Sequence, residues 1–215
     1  MPKSTAKSAG KAVLKADRRA THAAARHRDH PLAQIAGQAA EIADQPPLIA
    51  LSIATAAIGL AVRRADVARG GLRMLTAHLV ATGMKHVVKR SVNRTRPKRA
   101  LDDGAHQFER GHSHDHELNS FPSGHLAGAV AVARALAHEV DGAGAPAALA
   151  VGAVAAAQAP AGNHYFTDMI AGAAIGWVAE AVVGAALDAA EPLVEEGVRR
   201  LRQGFDDSPL PAAAK

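Results

Sequence analysis

The chain has 215 residues, of which 48% are hydrophobic but only 3% aromatic, so any core must be assembled from Ala, Val, Leu and Ile. It contains no cysteine, which excludes disulfides, thiolate metal centres and cysteine nucleophiles. The formal charge of +5 is unevenly spread: residues 1–30 hold eight Lys/Arg against Asp17 and Asp29, a net +6 that leaves −1 for the rest.

In chain order, residues 1–30 predict a solvated, disordered basic arm. They lack the apolar stretch of a secretory signal peptide. They also lack the stacking aromatics and recognition motif of a nucleic-acid binder, so no nucleic-acid partner is expected and anionic lipid head groups fit the charge better. PLAQIAGQAAEIADQ (31–45) predicts a short amphipathic helix closed by Pro46-Pro47. LIALSIATAAIGLAV (48–62) is an uncharged apolar run stopped by Arg63 and Arg64. GLRMLTAHLVATGMKHVV (71–88) is apolar but interrupted by Arg73, His78, Lys85 and His86. A polar stretch, 89–122, then holds most of the remaining charge. Apolar segments 126–137, 145–162 and 169–187 follow, separated by Gly- and Pro-bearing stretches that end helices.

No period-2 alternation occurs, so the fold class is all-α, a bundle of about five to six helices. Segment 169–187 has the length to span a bilayer and holds one carboxylate, Glu180; segment 48–62 approaches that length if Pro46 and Pro47 sit at the interface. The expectation is therefore a membrane-embedded, multi-pass bundle over 31–190, with a C-terminal helix and frayed tail over 191–215. The basic arm favours a cytoplasmic N-terminus and the four arginines of loop 63–73 argue the reverse, so orientation stays open.

Three clusters differ in residue type from everything around them. In KRSVNRTRP (89–97), Lys89 and Arg96 are seven apart, two helical turns, and Pro97 biases Arg96 out of helix into a loop. Two fixed cations aimed at one point suit a phosphate, since arginine forks onto two oxygens and lysine supplies a point charge. Alone, the cluster reads as a basic patch beside a membrane. In FPSGH (121–125), Ser123 is a good N-cap, and the next N–H groups, with Gly124 at close approach, form a natural anion site. His125 there can protonate a leaving oxygen; alone, it is a capped helix with an incidental histidine. Finally, His164 and Asp168 are four apart and touch if a helix begins there. A carboxylate on one imidazole nitrogen would leave the other free to attack. Alone, such a pair is usually a surface hydrogen bond.

Together and in this order, Lys-x6-Arg-Pro, Pro-Ser-Gly-His and His-x3-Asp resemble the type 2 phosphatidic acid phosphatase superfamily, over about Lys89 to Gly172. The resemblance implies that Lys89 and Arg96 hold phosphate oxygens with Ser123 and the Gly124 N–H. It implies that His164 attacks phosphorus to give a phosphohistidine, Asp168 orients His164, and His125 protonates the leaving alcohol. No metal and no cofactor are implied, because fixed cations and N–H dipoles do the electrostatic work. The implied substrate is a membrane lipid phosphate: phosphatidate, phosphatidylglycerol phosphate, or a polyprenyl phosphate or diphosphate. The implied place is a bacterial cytoplasmic membrane.

The chain departs from that pattern at one point. The third motif begins Ser-Arg, with the arginine six residues before the nucleophilic histidine; here Ala157 and Gln158 stand there. Gln158 can donate to a phosphate oxygen but brings no charge, and no Lys or Arg occurs from 135 to 198. Losing one such donor costs ~3–4 kcal/mol of transition-state stabilisation. Arg94 and Arg99 are the nearest spare cations. The alternative is a catalytically impaired relative that binds phospholipid head groups. His112, His114 and His116 alternate and can in principle hold Zn²⁺ or Ni²⁺, although a solvated loop is the simpler reading. Glu180 is a functional hint if its segment spans a bilayer, and can equally face the bundle interior or lie near the interface with Trp177.

Overall fold

The computed structural model describes residues 2–206. Eight α-helices are present among them: α1 (Pro2–Ala25), α2 (Pro31–Ala40), α3 (Gln45–Ala61), α4 (Ala65–Lys89), α5 (Pro97–Asp103), α6 (Gly124–Glu139), α7 (Gly144–Gln158) and α8 (Phe166–Asp206). The short strands β1 (Val92–Arg94) and β2 (Phe108–Arg110) pair antiparallel within the polar stretch. The all-helical expectation holds, with more helices than the five or six expected. The extra ones are the N-terminal α1 and the short α5, whose start Pro97 fixes at its first position.

Sequence signals set most of the boundaries. Pro46 and Pro47 lie in the first turn of α3, where their missing N–H groups cost nothing. Ser123 caps α6, its side chain accepting from the Leu126 N–H at 3.4 Å. Helix α8 runs past the expected end at 187 to Asp206, through Pro192. The tail expected beyond it lies outside the described residues.

Helix α4 is the central element, packed against α3, α6 and α8. Its core layer is made of small and medium residues: Met74, Ala77 and Ala81 of α4 meet Ala131, Val132 and Ala135 of α6 and Ala179 and Val183 of α8. The α6–α8 crossing is close because Gly172 and Gly176 lack side chains. A Cβ at Gly172 would stand 2.3 Å from the Ser123 carbonyl oxygen, and one at Gly176 would stand 2.3 Å from that of Ala127. This crossing brings the N-termini of α6 and α8 together.

The outer surface is apolar where the interior is charged. Leu51, Ile53, Ile58 and Leu60 of α3, Leu72 and Leu79 of α4, and Ile170, Trp177, Val178 and Val182 of α8 are exposed. Inside, Glu180 accepts from Arg73 at 2.7 and 3.0 Å and from Arg134 at 2.9 Å, and Arg73 also reaches Glu139 at 3.1 Å. Glu180 therefore faces the bundle interior and not the interface. By length and composition, Phe166–Leu193 of α8 can cross a membrane, and α2 with α3, bent by 53° at their junction, can form a second, broken span.

The N-terminal segment differs from the solvated arm that its charge suggested. It is helical over Pro2–Ala25, and Asp17, Thr21 and Ala25 are buried. The reason is Asp17, whose carboxylate binds Arg94 at 2.9 Å and the Thr167 N–H at 3.2 Å. Charge counting over 1–30 treats that aspartate as a minor offset, whereas it fastens α1 to the bundle, with Thr21 accepting from the Phe166 N–H at 3.4 Å beside it.

Candidate active site

The C-terminus of α4, the N-terminus of α6, the α2–α3 junction and the loops preceding α6 and α8 surround a cavity of about 710 Å³ at one end of the bundle. Backbone hydrogen bonds fasten the three sequence clusters to one another there. The Lys98 N–H donates to the Gly162 carbonyl at 3.0 Å, joining the first cluster to the third. The Ser123 N–H donates to the Asp168 carbonyl at 3.0 Å, joining the second to the third. The Ser120 N–H donates to the Arg94 carbonyl at 3.1 Å and the Arg96 N–H to that of Glu117 at 2.8 Å, so the intervening loop is held at both sides.

Lys89, Arg96, Gly124, His125 and His164 all line the cavity. Lys89 and Arg96 are not on one helical face, as the seven-residue spacing suggested: Lys89 ends α4, and β1 lies between them. They converge because Arg96, the extended residue capping α5, turns back toward the helix end. Lys89 donates to the Asn119 carbonyl at 2.6 Å, while Arg96 donates to the carbonyls of His116 and Asn163, each at 3.1 Å. These bonds leave each cation some donors unspent.

His164 is 2% exposed, and its Nδ1 lies 2.7 Å from the Ser120 carbonyl oxygen. A carbonyl can only accept, so Nδ1 carries the proton and Nε2 keeps a free lone pair. Burial pushes the imidazole down to about 4, against the opposing pull of Asp168, so His164 is neutral at pH 7. The Asp168 carboxylate is 3.8 Å from Nδ1, outside hydrogen-bond reach. It is itself held by Arg94 at 2.5 Å, the Ser120 hydroxyl at 2.5 Å and the Tyr165 N–H at 2.9 Å. The direct orienting bond that spacing assigned to Asp168 thus comes from the Ser120 carbonyl, and Asp168 acts on His164 through space.

His125 and His164 lie 6.1 Å apart between ring centroids. His125 Nε2 is buried without a hydrogen bond, and a Glu41 carboxylate oxygen lies 3.5 Å from it. Glu41 and Asp44 contribute carboxylates to the cavity wall.

Three of the expected residues lie off the cavity wall. Asp168 is behind His164, and the Ser123 hydroxyl is spent on capping α6. Gln158 is fully buried at the end of α7, with no hydrogen-bond partner for either side-chain amide atom. The two spare arginines are not spare. Arg94 is fully buried between Asp168 and Asp17 with its guanidinium 4.0 Å from the Tyr165 ring, and Arg99 binds Asp103 and Asp115 at the surface. Among the described residues no group of three or more His, Asp or Glu side chains is placed to hold a metal ion. His112 and His114 instead stack edge-on at 4.7 Å, and His116 turns to Arg96.

Sequence reasoning missed Lys85, Ser120, Arg94 with Asp17, and Asn163 as parts of this arrangement. Lys85 had a signal, since it stands four residues before Lys89 on the same helix face. Asp17 had none, being 77 positions from its partner Arg94.

The helical bundle thus gathers four Lys/Arg side chains and the histidines His125 and His164 on one cavity wall at one end of an apolar-surfaced protein. Residues 70–189 match the family model of the PAP2 superfamily, and the chain belongs to that superfamily. The structure is similar to the crystal structure of the transmembrane PAP2-type phosphatidylglycerolphosphate phosphatase from Bacillus subtilis, with a TM-score of 0.56, 20% identity, and coverage of 82% of this chain and 87% of that one. It also matches LpxE of Aquifex aeolicus, with a TM-score of 0.45, 22% identity, and coverage of 73% and 96%. No curated protein matches the sequence significantly.

Proposed function

We propose that this protein is a metal-independent phosphatase that hydrolyses a membrane lipid phosphate through a phosphohistidine at His164. One observation carries the reading: His164 and His125 stand 6.1 Å apart on the wall of a cavity that Lys89, Arg96 and the Gly124 end of α6 make cationic. A phosphoryl group between the two rings meets a nucleophile on one side and a proton donor on the other. Nε2 of His164 attacks phosphorus while His125 gives a proton to the departing alkoxide. His125, now neutral, takes a proton from water as the water oxygen attacks the phosphohistidine, and His164 Nε2 leaves. Lys89, Arg96 and the N–H groups opening α6 hold the equatorial oxygens, whose charge grows in the transition state.

The lipid part of the reading is supported by the apolar outer face of the bundle, by the span-length segment of α8, and by the likeness to a transmembrane phosphatidylglycerolphosphate phosphatase. With the site at one end of the bundle, a head group at the membrane surface reaches it while its chains stay in lipid. We place the protein in the bacterial cytoplasmic membrane as a multi-pass protein. Phosphatidate, phosphatidylglycerol phosphate and polyprenyl phosphate or diphosphate are the substrates to test.

The experiment is phosphate release from that panel in EDTA by wild-type and His164→Ala protein, with acid-labile, base-stable labelling of wild type by ³²P-substrate. Turnover and labelling that both vanish in His164→Ala are expected; turnover indifferent to the substitution would sink the mechanism. Head-group binding without turnover has one observation in its favour, that neither Gln158 nor any other residue of 135–158 lines the cavity. Saturable lipid binding with no phosphate release from any substrate would establish that reading instead.

A further inference from the structure

The half of the chain that carries His164 has no Lys or Arg from 135 to 198, so the positive charge at the cavity comes from α4 and the loop after it. Lys89 and Arg96 are two of these cations, and each is partly tied to backbone carbonyls. The third deep cation is Lys85, one helical turn before Lys89 on the same face of α4.

Three features set Lys85 apart. It is 9% exposed, yet it lines the cavity. Among the described residues it makes no hydrogen bond and no ion pair, and Asp44 acts on it only through space. Its ammonium lies 3.1 Å from where a Cβ on Gly124 would stand, against the first residue of α6, where N–H groups are unpaired by geometry. The side chain is buried while its ammonium opens on the cavity with no partner from the protein, which is where an entering anion can complete it. A Cβ at Gly124 would press on the ammonium and shift it by a few tenths of an ångström, so glycine leaves the closest approach to the helix end open.

We propose that Lys85 is the third cation of the phosphate cradle, holding an oxygen of the phosphoryl group at the N-terminus of α6 together with Lys89 and Arg96. The inference rests on the phosphatase reading for its substrate but not for its anion. Besides Lys89, the groups that interact electrostatically with Lys85 are His78 and His86 of α4 and Asp44 from the α2–α3 junction, and Arg96, Glu41, His125 and His164 share its cavity wall. Inorganic phosphate is a sufficient probe, because the ligand chemistry is that of the phosphoryl group and not of the lipid.

The test uses the full chain in detergent as wild type, Lys85→Met, Lys85→Gln and Lys85→Arg. It reads thermal midpoint with and without inorganic phosphate, and kcat, KM and product inhibition by phosphate. With phosphate absent, Lys85→Met should melt no lower than wild type, because an uncompensated buried charge has been removed. Its phosphate-induced stabilisation should shrink, and the inhibition constant for phosphate should rise at least about tenfold, the loss of one charge-assisted contact. Lys85→Arg should recover most of both. Phosphate stabilisation and inhibition within twofold of wild type in both neutral variants would overturn the proposal. So would a melting loss in Lys85→Met and Lys85→Gln with phosphate response unchanged, which would make Lys85 a structural partner of Asp44. If wild type turns over no lipid phosphate, the phosphatase reading fails while the phosphate-dependent melting still decides Lys85. A wild type that turns over lipid but shows no phosphate response at all counts against Lys85 alone.

Discussion

The charge on Asp168 offers the sharpest check of how His164 is activated, and Asp168→Asn is the perturbation. The carboxylate lies 3.8 Å from His164 Nδ1 with no hydrogen bond between them, while the tautomer is fixed by the Ser120 carbonyl at 2.7 Å. Neutralising Asp168 therefore leaves the proton on Nδ1 and removes a field. As His164 attacks, its ring becomes cationic, and a unit charge at that separation stabilises it by about 4 kcal/mol at an effective dielectric of about 20. Arg94, 2.5 Å from the other carboxylate oxygen, cancels part of this, so about 2–4 kcal/mol remains, roughly 30- to 1000-fold in kcat. Asp168 is not on the cavity wall, so KM should change by less than about threefold. An asparagine must also set its NH₂ against a donor, either Arg94 or the pair formed by Ser120 and the Tyr165 N–H. The variant should therefore be less stable by roughly 3–5 kcal/mol, the usual cost of breaking a buried pair on one side. The assay is steady-state phosphate release from a short-chain phosphatidate in micelles at a temperature where melting shows the variant folded. A kcat within threefold of wild type in folded Asp168→Asn would refute the electrostatic role. A loss appearing in KM instead would mean the carboxylate shapes the cavity.

Three further outcomes follow from the same geometry. Gln158→Met should raise the thermal midpoint, by an amount equivalent to about 1–3 kcal/mol, because both amide atoms are buried without partners; a large rise in KM would show instead that the amide reaches substrate. Glu180→Gln leaves Arg73 and Arg134 facing a neutral group in the bundle interior and should cost about 3–5 kcal/mol, measured as a fall in melting temperature; an unchanged midpoint would mean the network is solvated. His164 is held neutral, so above its unfolded value of 6.5 it contributes nothing to pH dependence. Between 6.5 and about 4 the unfolded chain takes up a proton the folded chain refuses, so stability falls with pH by up to about 3 kcal/mol. Melting curves of wild type and His164→Gln from pH 7 to 4 should converge or cross accordingly, and parallel curves would exclude a depressed His164.

The sequence by itself determined the helical class and most helix positions, because Pro46-Pro47 and Ser123 are local signals whose effect on the backbone needs no partner. It also determined the chemistry of the cluster: Lys89, Arg96, Gly124, His125 and His164 are residue types placed in a fixed order, and they do line one cavity. What each side chain does there was decided by tertiary structure. Spacing put Asp168 beside His164, but only the fold reveals that Ser120 supplies the bond and Asp168 the field. Arg94 and Arg99 read as spare cations until their partners are seen, and the basic arm reads as solvated until Asp17 is found under Arg94. Charge and burial are properties of neighbours, and the neighbours of a site assembled from helix ends and loops lie tens of positions away along the chain. That is also why Lys85, one lysine among several on an interrupted apolar helix, acquires its meaning only from the space that Gly124 leaves open.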